Sequence, residues 1–273
     1  MSRKLTRLSL VELYKVTQKK ESYLLLALCL LPLIFAIGLY SGSSSFIFSS
    51  TKGAISCLDW VSSMTTILNQ SLIFYFFLTI IVTRSLSSEI EDHSILLYIP
   101  RVNSRRLIYS SKILAGIASG TFAIVSFLVS SIASYYIFLI HVPEVANGNF
   151  TDKVTIESDI LNIFTVYVCV LVVAMLAHCL SNYMKPLLCI AVAIVVIGSM
   201  PWLIRVNGLA YLLPWFYMTR MNDLFNNVSQ DSMAIHLFSA KPTLVFLLYL
   251  TVSVIWIATF FIAGLVKFVR RDL

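Results

Sequence analysis

Hydrophobic positions in this chain come in long runs rather than in stripes. Ser22–Tyr40, Trp60–Thr83, Ile113–Ile140, Ile160–Leu180, Leu187–Ile204 and Leu244–Val266 contain no Asp, Glu, Lys or Arg. A run of about 20 apolar residues suffices to carry a helix across the hydrocarbon core. The pattern predicts an all-α integral membrane protein with six transmembrane helices. The third run is longer than a perpendicular helix needs, which predicts tilt or an interfacial end.

The polar stretches between the runs carry their own signals. Arg84–Lys112 is the most structured of them. Ser88 followed three residues later by Glu91 fits a capping box, and Glu89, Glu91 and Asp92 suit a first helical turn. Pro100 ends that helix, having no N–H to donate, and Asn103 or Ser104 can cap the next one. A short helix over Glu89–Ile99 is therefore expected. Arg3–Lys20 interleaves basic residues with Leu5, Leu8, Leu10, Val11, Leu13, Tyr14 and Val16. This reads as a helix in the membrane interface or as a basic flank of the first run. Gly42–Thr51 is a serine-rich loop. Leu209–Met218 is apolar, aromatic and broken by Pro214; it can re-enter the outer leaflet or lie flat as an interfacial helix. No repeat or linker divides the chain, so residues 1–273 read as one domain.

Composition sharpens the class. Charged residues make up 12% of the chain, half the roughly 25% of a soluble domain. Of the 20 Lys and Arg, only Lys52, Lys153, Arg205, Arg220 and Lys241 fall on one side; the other fifteen share the side of both termini. That bias places the termini and the Arg84–Lys112 loop in the cytoplasm. The net charge of +7 is thus a topology signal, and no nucleic-acid partner is implied. The first run exceeds a typical signal-peptide core and reads as an uncleaved span. Five cysteines without a C-x-x-C motif read as apolar packing groups rather than as disulfides or zinc ligands. The triplets at Asn149 and Asn227 match the glycosylation pattern and fall outside.

Little catalytic chemistry is visible. No phosphate-binding G-x-x-x-x-G-K-[ST] loop, H-E-x-x-H or G-x-S-x-G occurs. The four histidines are scattered, so neither a metal nor an acid–base centre is indicated. His178 and Cys179 read as a packed polar pair. Ionisable residues inside spans usually mark ion or proton paths, and none lies deep in these runs. Any uphill transport then takes its energy from another subunit. Asn69 and Gln70 near the middle of the second run can bond across helices or face a cavity. Gly116 and Gly120, with Ser126, Ser130 and Ser134, form a small-residue stripe suited to close helix packing. Phe74 to Phe77, Trp256, Phe260 and Phe261 suit lipid, and are compatible with a greasy cargo.

The layout resembles the permease subunits of type 2 ABC exporters, in particular those tied to bacteriocin or lantibiotic self-protection and peptide export. The resemblance spans the whole chain and rests on three places. These are Glu89, Ile95–Leu97, Pro100, Ser104-Arg105 and Lys112 in the first cytoplasmic loop; Leu213-Pro214 with Tyr217; and the tail Arg270-Arg271-Asp272. The chain departs from the family at His93-Ser94, where Gly-Thr is usual, and at Ser111, where Gly often stands. The resemblance implies a dimer of two identical or paralogous permeases over two ATPase subunits in the plasma membrane. ATP and Mg would sit on those partners, with no cofactor on this chain. It implies that the N-terminal helix is an elbow. It implies that Glu89, Glu91, Asp92, Leu96, Leu97 and Pro100 form a coupling helix on the ATPase. The substrate-path candidates are Asn69, Gln70, Phe74, Trp215 and Tyr217.

The expected function is export of a hydrophobic or amphiphilic molecule, such as an antimicrobial peptide, by a non-ATPase subunit. A membrane immunity or scaffold protein that binds its peptide without transport is the alternative.

Overall fold

The computed structural model describes residues 2–42, 54–97, 102, 104–153, 155–206, 208–225 and 242–270. They are helical almost throughout. Helix α1 (Ser2–Thr17) turns at Lys19 into α2 (Lys20–Ala27), a 3₁₀ turn (Leu28–Leu30) and α3 (Leu31–Tyr40). Pro32 explains that turn, since it cannot donate to the carbonyl of Leu28. Next come α4 (Cys57–Gln70), α5 (Ile73–Glu91), α6 (Arg105–Ile137), α7 (Ile156–Leu180), α8 (Pro186–Leu203), α9 (Pro214–Phe225) and α10 (Pro242–Arg270). Six helices are long and apolar enough to cross a membrane: Lys20–Tyr40, Ile73–Glu91, Arg105–His141, Ile156–Leu180, Pro186–Leu203 and Thr243–Arg270.

The core gathers around α7, which packs on α4, α5, α6, α8, α9 and α10. Close approach is made possible by small residues on α6. A methyl group on Gly116 would stand 2.4 Å from Nε2 of His178, and one on Gly120 would touch Leu78 and Val170 at 3.3 Å. The glycine stripe is therefore a packing seam. Ser134 accepts from Nε1 of Trp60 at 3.0 Å, and Ser130 donates to the Cys29 carbonyl. The five cysteines are free, and four are buried.

The structure differs from the sequence expectations in three places. The second apolar run is two helices. Leu72 adopts φ 56° between α4 and α5, a left-handed value that costs an ordinary L-residue about 1–2 kcal/mol. Yet α4 and α5 follow one line along α6. Trp60 meets Ser134, Leu78 meets Gly120, Val82 meets Gly116 and Ser85 meets Lys112. The second difference is at Ser88, which caps nothing. Helix α5 continues through it to Glu91, and its hydroxyl bonds back to the Arg84 carbonyl, a local bond that serine makes readily inside helices. Burial of Leu86 and Ile90 keeps the last turns of α5 in register. Third, α5 ends at Glu91, and a 3₁₀ turn (Ser94–Leu97) and one helical residue, Val102, follow before α6 among the described residues. Pro100 and Asn103 lie outside them. His93 takes φ 56°, the left-handed helix stop that glycine favours. Ser104 does cap α6, accepting from the Leu107 N–H at 3.4 Å.

Candidate functional site

Two constructions stand out, one at the end of the bundle where α1 packs on α6 and one halfway along the helices. The first is ionic. Helix α1 packs along the first turns of α6 and buries Glu12 and Val16, leaving Leu10, Val11 and Tyr14 exposed. Lys112, two turns into α6, has a side chain with no exposure. Its Nζ donates to Glu12 Oε2 at 2.7 Å, Glu89 Oε2 at 2.7 Å and the Ser85 carbonyl at 3.0 Å. Lys15 closes the ring, 3.0 Å from Glu12 Oε1 and 3.4 Å from Glu89 Oε1. Two carboxylates and two ammoniums thus balance, and every donor aims at an acceptor on another element or the next turn. Burial by itself would raise the Glu12 carboxyl. The charges and hydrogen bonds of Lys112 and Lys15 outweigh it and hold Glu12 below its ordinary value of 4.5. Arg84 pairs with Glu21 beside this knot, and Lys19 reaches the Arg84 carbonyl at 3.0 Å.

The opposite end of the bundle is pinned more simply. Ser56 and Asp59 cap α4 reciprocally: Ser56 N–H donates to Asp59 Oδ2 at 3.0 Å, and Ser56 Oγ accepts from the Asp59 N–H at 3.3 Å. Burial works against the Asp59 charge, but the Ser56 bonds prevail and hold its carboxyl below 3.8. Tyr135 donates to the Ile55 carbonyl at 3.0 Å and accepts from the Gly148 N–H at 3.1 Å.

The second construction surrounds the α4–α5 break. Leu72 lies about 18 Å of helix from Arg84 and about 20 Å from Asp59, so the break falls in the middle of the uncharged run. Ser71 satisfies two freed carbonyls, donating through N–H to Ile67 at 3.0 Å and through Oγ to Leu68 at 2.8 Å. No side chain of the preceding residue caps the start of α5. The chain after α8 comes back to this level. A 3₁₀ turn (Ala210–Leu212) leads into α9, and the Trp215 ring lies 6.0 Å from that of Tyr75. Asn69 donates to Met218 Sδ at 3.5 Å and accepts from the Tyr75 hydroxyl. Trp256, at the midpoint of α10, donates to the Leu212 carbonyl at 2.7 Å. Two interruptions of helical backbone therefore face each other halfway along the bundle.

The residues proposed from sequence divide accordingly. Asn69, Phe74 and Trp215 converge on Tyr75, with Phe74 edge-on to it at 6.1 Å. Tyr217 is also buried, and it donates to the Tyr211 carbonyl at 3.0 Å. Gln70 is exposed instead. Around the end of α5, Glu89 is drawn into the knot, whereas Glu91 and Asp92 are exposed. Leu96 and Leu97 lie in the 3₁₀ turn, and Pro100 is outside the described residues. Sequence reasoning missed Glu12, Lys15, Tyr75 and Met218. One signal for the first pair was available: Glu12 is the lone acid in a basic helix, three residues before Lys15. Among the described residues no three His, Cys, Asp or Glu side chains could hold a metal ion together. No family model matches the chain, and no curated protein matches it.

Proposed function

We propose that the chain is the membrane-spanning, non-ATPase subunit of an ATP-driven ABC exporter in the plasma membrane. Its cargo is a hydrophobic or amphiphilic molecule, with antimicrobial peptides the first class to test. The observation that carries this reading is the Lys112 knot. A buried cation joined to two carboxylates from different helices couples α1, α5 and α6 into one block, because separating them would leave unpaired buried charge. The cytoplasmic loop hangs from that block with Glu91 and Asp92 exposed, where an ATPase subunit can engage it.

In this reading α1 is the elbow, and a push on the loop moves the inner end of α5. A helix transmits that push rigidly to Leu72, where the backbone can hinge. Broken helices that meet at mid-depth are a recurrent way to build a substrate path in membranes. The segment 208–225 re-enters from the outer face and supplies Trp215 and Tyr217 to that path, with Asn69 and Phe74 opposite. Six spans with both termini inside, and a second identical or paralogous copy, complete the transporter.

The test is to co-express the chain with an ATP-binding-cassette ATPase encoded in the same genome and purify by a tag on this chain. A stable complex is expected, with ATP hydrolysis altered by Glu91→Lys together with Asp92→Lys. Failure of every such ATPase to co-purify would sink the proposal. Peptide protection in cells without any partner ATPase would favour binding without transport.

A further inference from the structure

Helices α8 and α10 both pack on α7, yet they make at most marginal contact with each other. The slot left between them is a cleft of about 190 Å³. Its floor is α7, at Cys169 and Val173; its walls are Ile197 and Trp256; Leu213 and Trp215 close one end. The lining is wholly apolar. The polar handles on its walls are turned into the protein, Trp256 to the Leu212 carbonyl and Tyr249 to the Thr165 carbonyl, each at 2.7 Å.

These features select the occupant. A water in a cavity needs about 2–4 polar partners, and this lining has none. A peptide backbone or a lipid headgroup would lose several kcal/mol per unsatisfied polar group there. Pockets for drug-sized ligands run to roughly 300–1,000 Å³, so this one is narrow by comparison. The Trp256 level is the midpoint of a helix long enough to span, where a bilayer presents hydrocarbon alone. We infer that the cleft between α7, α8, α9 and α10 is a binding site for a single acyl chain of a membrane lipid, entering from the bilayer between α8 and α10. The bound chain supports the Trp215 end of α9 and fills space that no side chain among the described residues occupies. The site stands independently of the transport reading.

The four tryptophans supply the test. Trp215 and Trp256 line the cleft, Trp60 is fully buried elsewhere, and Trp202 is exposed. The full chain is reconstituted in phosphatidylcholine vesicles with or without bromine atoms on the acyl chains, which quench indole emission on contact. The Trp202→Phe protein is expected to lose emission in brominated vesicles. Filling the cleft with Val196→Phe, or independently Val173→Phe, restores most of it. A protein carrying Trp215→Phe and Trp256→Phe reports through Trp202 and loses emission with or without Val196→Phe. The inference is overturned if the Trp202→Phe protein is not quenched while the Trp202 reporter is. Equal quenching with and without both filling substitutions overturns it as well, because the bromines then reach the indoles from outside the cleft.

Discussion

Lys112 concentrates the largest energetic stake in a single side chain. An ammonium with no exposure is tolerable only while Glu12 and Glu89 stay within hydrogen-bond distance. Lys112→Met leaves two carboxylates in a half-buried site with Lys15 alone, and breaking a buried pair from one side costs about 3–5 kcal/mol. The expected outcome is a large drop in the thermal unfolding midpoint in detergent. Lys112→Met combined with Glu12→Gln and Glu89→Gln should recover most of it, since no uncompensated charge then remains. Acid should act through the same group. Glu12 titrates below 4.5 in the folded protein, so its contribution is complete above that value. It is lost as pH falls through the folded value. The stability gap between wild type and Glu12→Gln should hold from neutral pH to the ordinary glutamate range and close below it, as followed by unfolding midpoints across pH.

Helices here are limited by their ends and by their closest approaches. His93 and Leu72 both hold φ 56° without being glycine. His93 is exposed at the end of α5, so His93→Gly removes left-handed strain without emptying a core. A gain of up to about 1 kcal/mol is expected, and His93→Val should lose stability, because branching at Cβ worsens the clash. The opposite logic applies on α6. Gly116→Ala would drive a methyl into His178, 2.4 Å from Nε2, and overpacking of this kind costs typically 1–3 kcal/mol. Gly198→Ala on α8 meets nothing within 4 Å and should be neutral or slightly stabilising by helix propensity. The two variants, compared by thermal unfolding in detergent, separate packing from propensity.

The whole bundle is arranged with its charges at the ends and its broken backbone in the middle. Lys and Arg bias assigns the knot end to the cytoplasm. Asn147 and Asp92, both exposed at opposite ends of the molecule, test that assignment. With the five native cysteines replaced, Asn147→Cys should react with a membrane-impermeant maleimide in intact cells, and Asp92→Cys only after permeabilisation. The reverse pattern would invert the protein and place the exposed loop beyond reach of any cytoplasmic ATPase.

Element content was legible in sequence because crossing hydrocarbon demands long uncharged runs, and such runs leave little ambiguity. The runs at Ile160–Leu180 and Leu187–Ile204 lie within a few residues of α7 and α8. Local cap chemistry was legible where the helix start was real, as at Ser104. It misled at Ser88, where the same residues lie in the interior of a longer helix and a serine can satisfy itself one turn back. Glu89 and Lys112 were both singled out, but Glu12 was not, because Glu12 and Lys112 are 100 residues apart and meet only through packing. The same holds for Asn69 and Met218, 149 residues apart. What the sequence determined alone was that the chain is helical, has six helices apolar enough to span a membrane, and keeps its charges out of the apolar runs. Tertiary structure alone decided that Lys112 is buried between two carboxylates, that Leu72 breaks a run with no proline or glycine, and that the two interruptions face each other. Hydropathy is a property of each segment by itself, whereas a buried ion pair or a helix break exists only through the neighbours that fold against it.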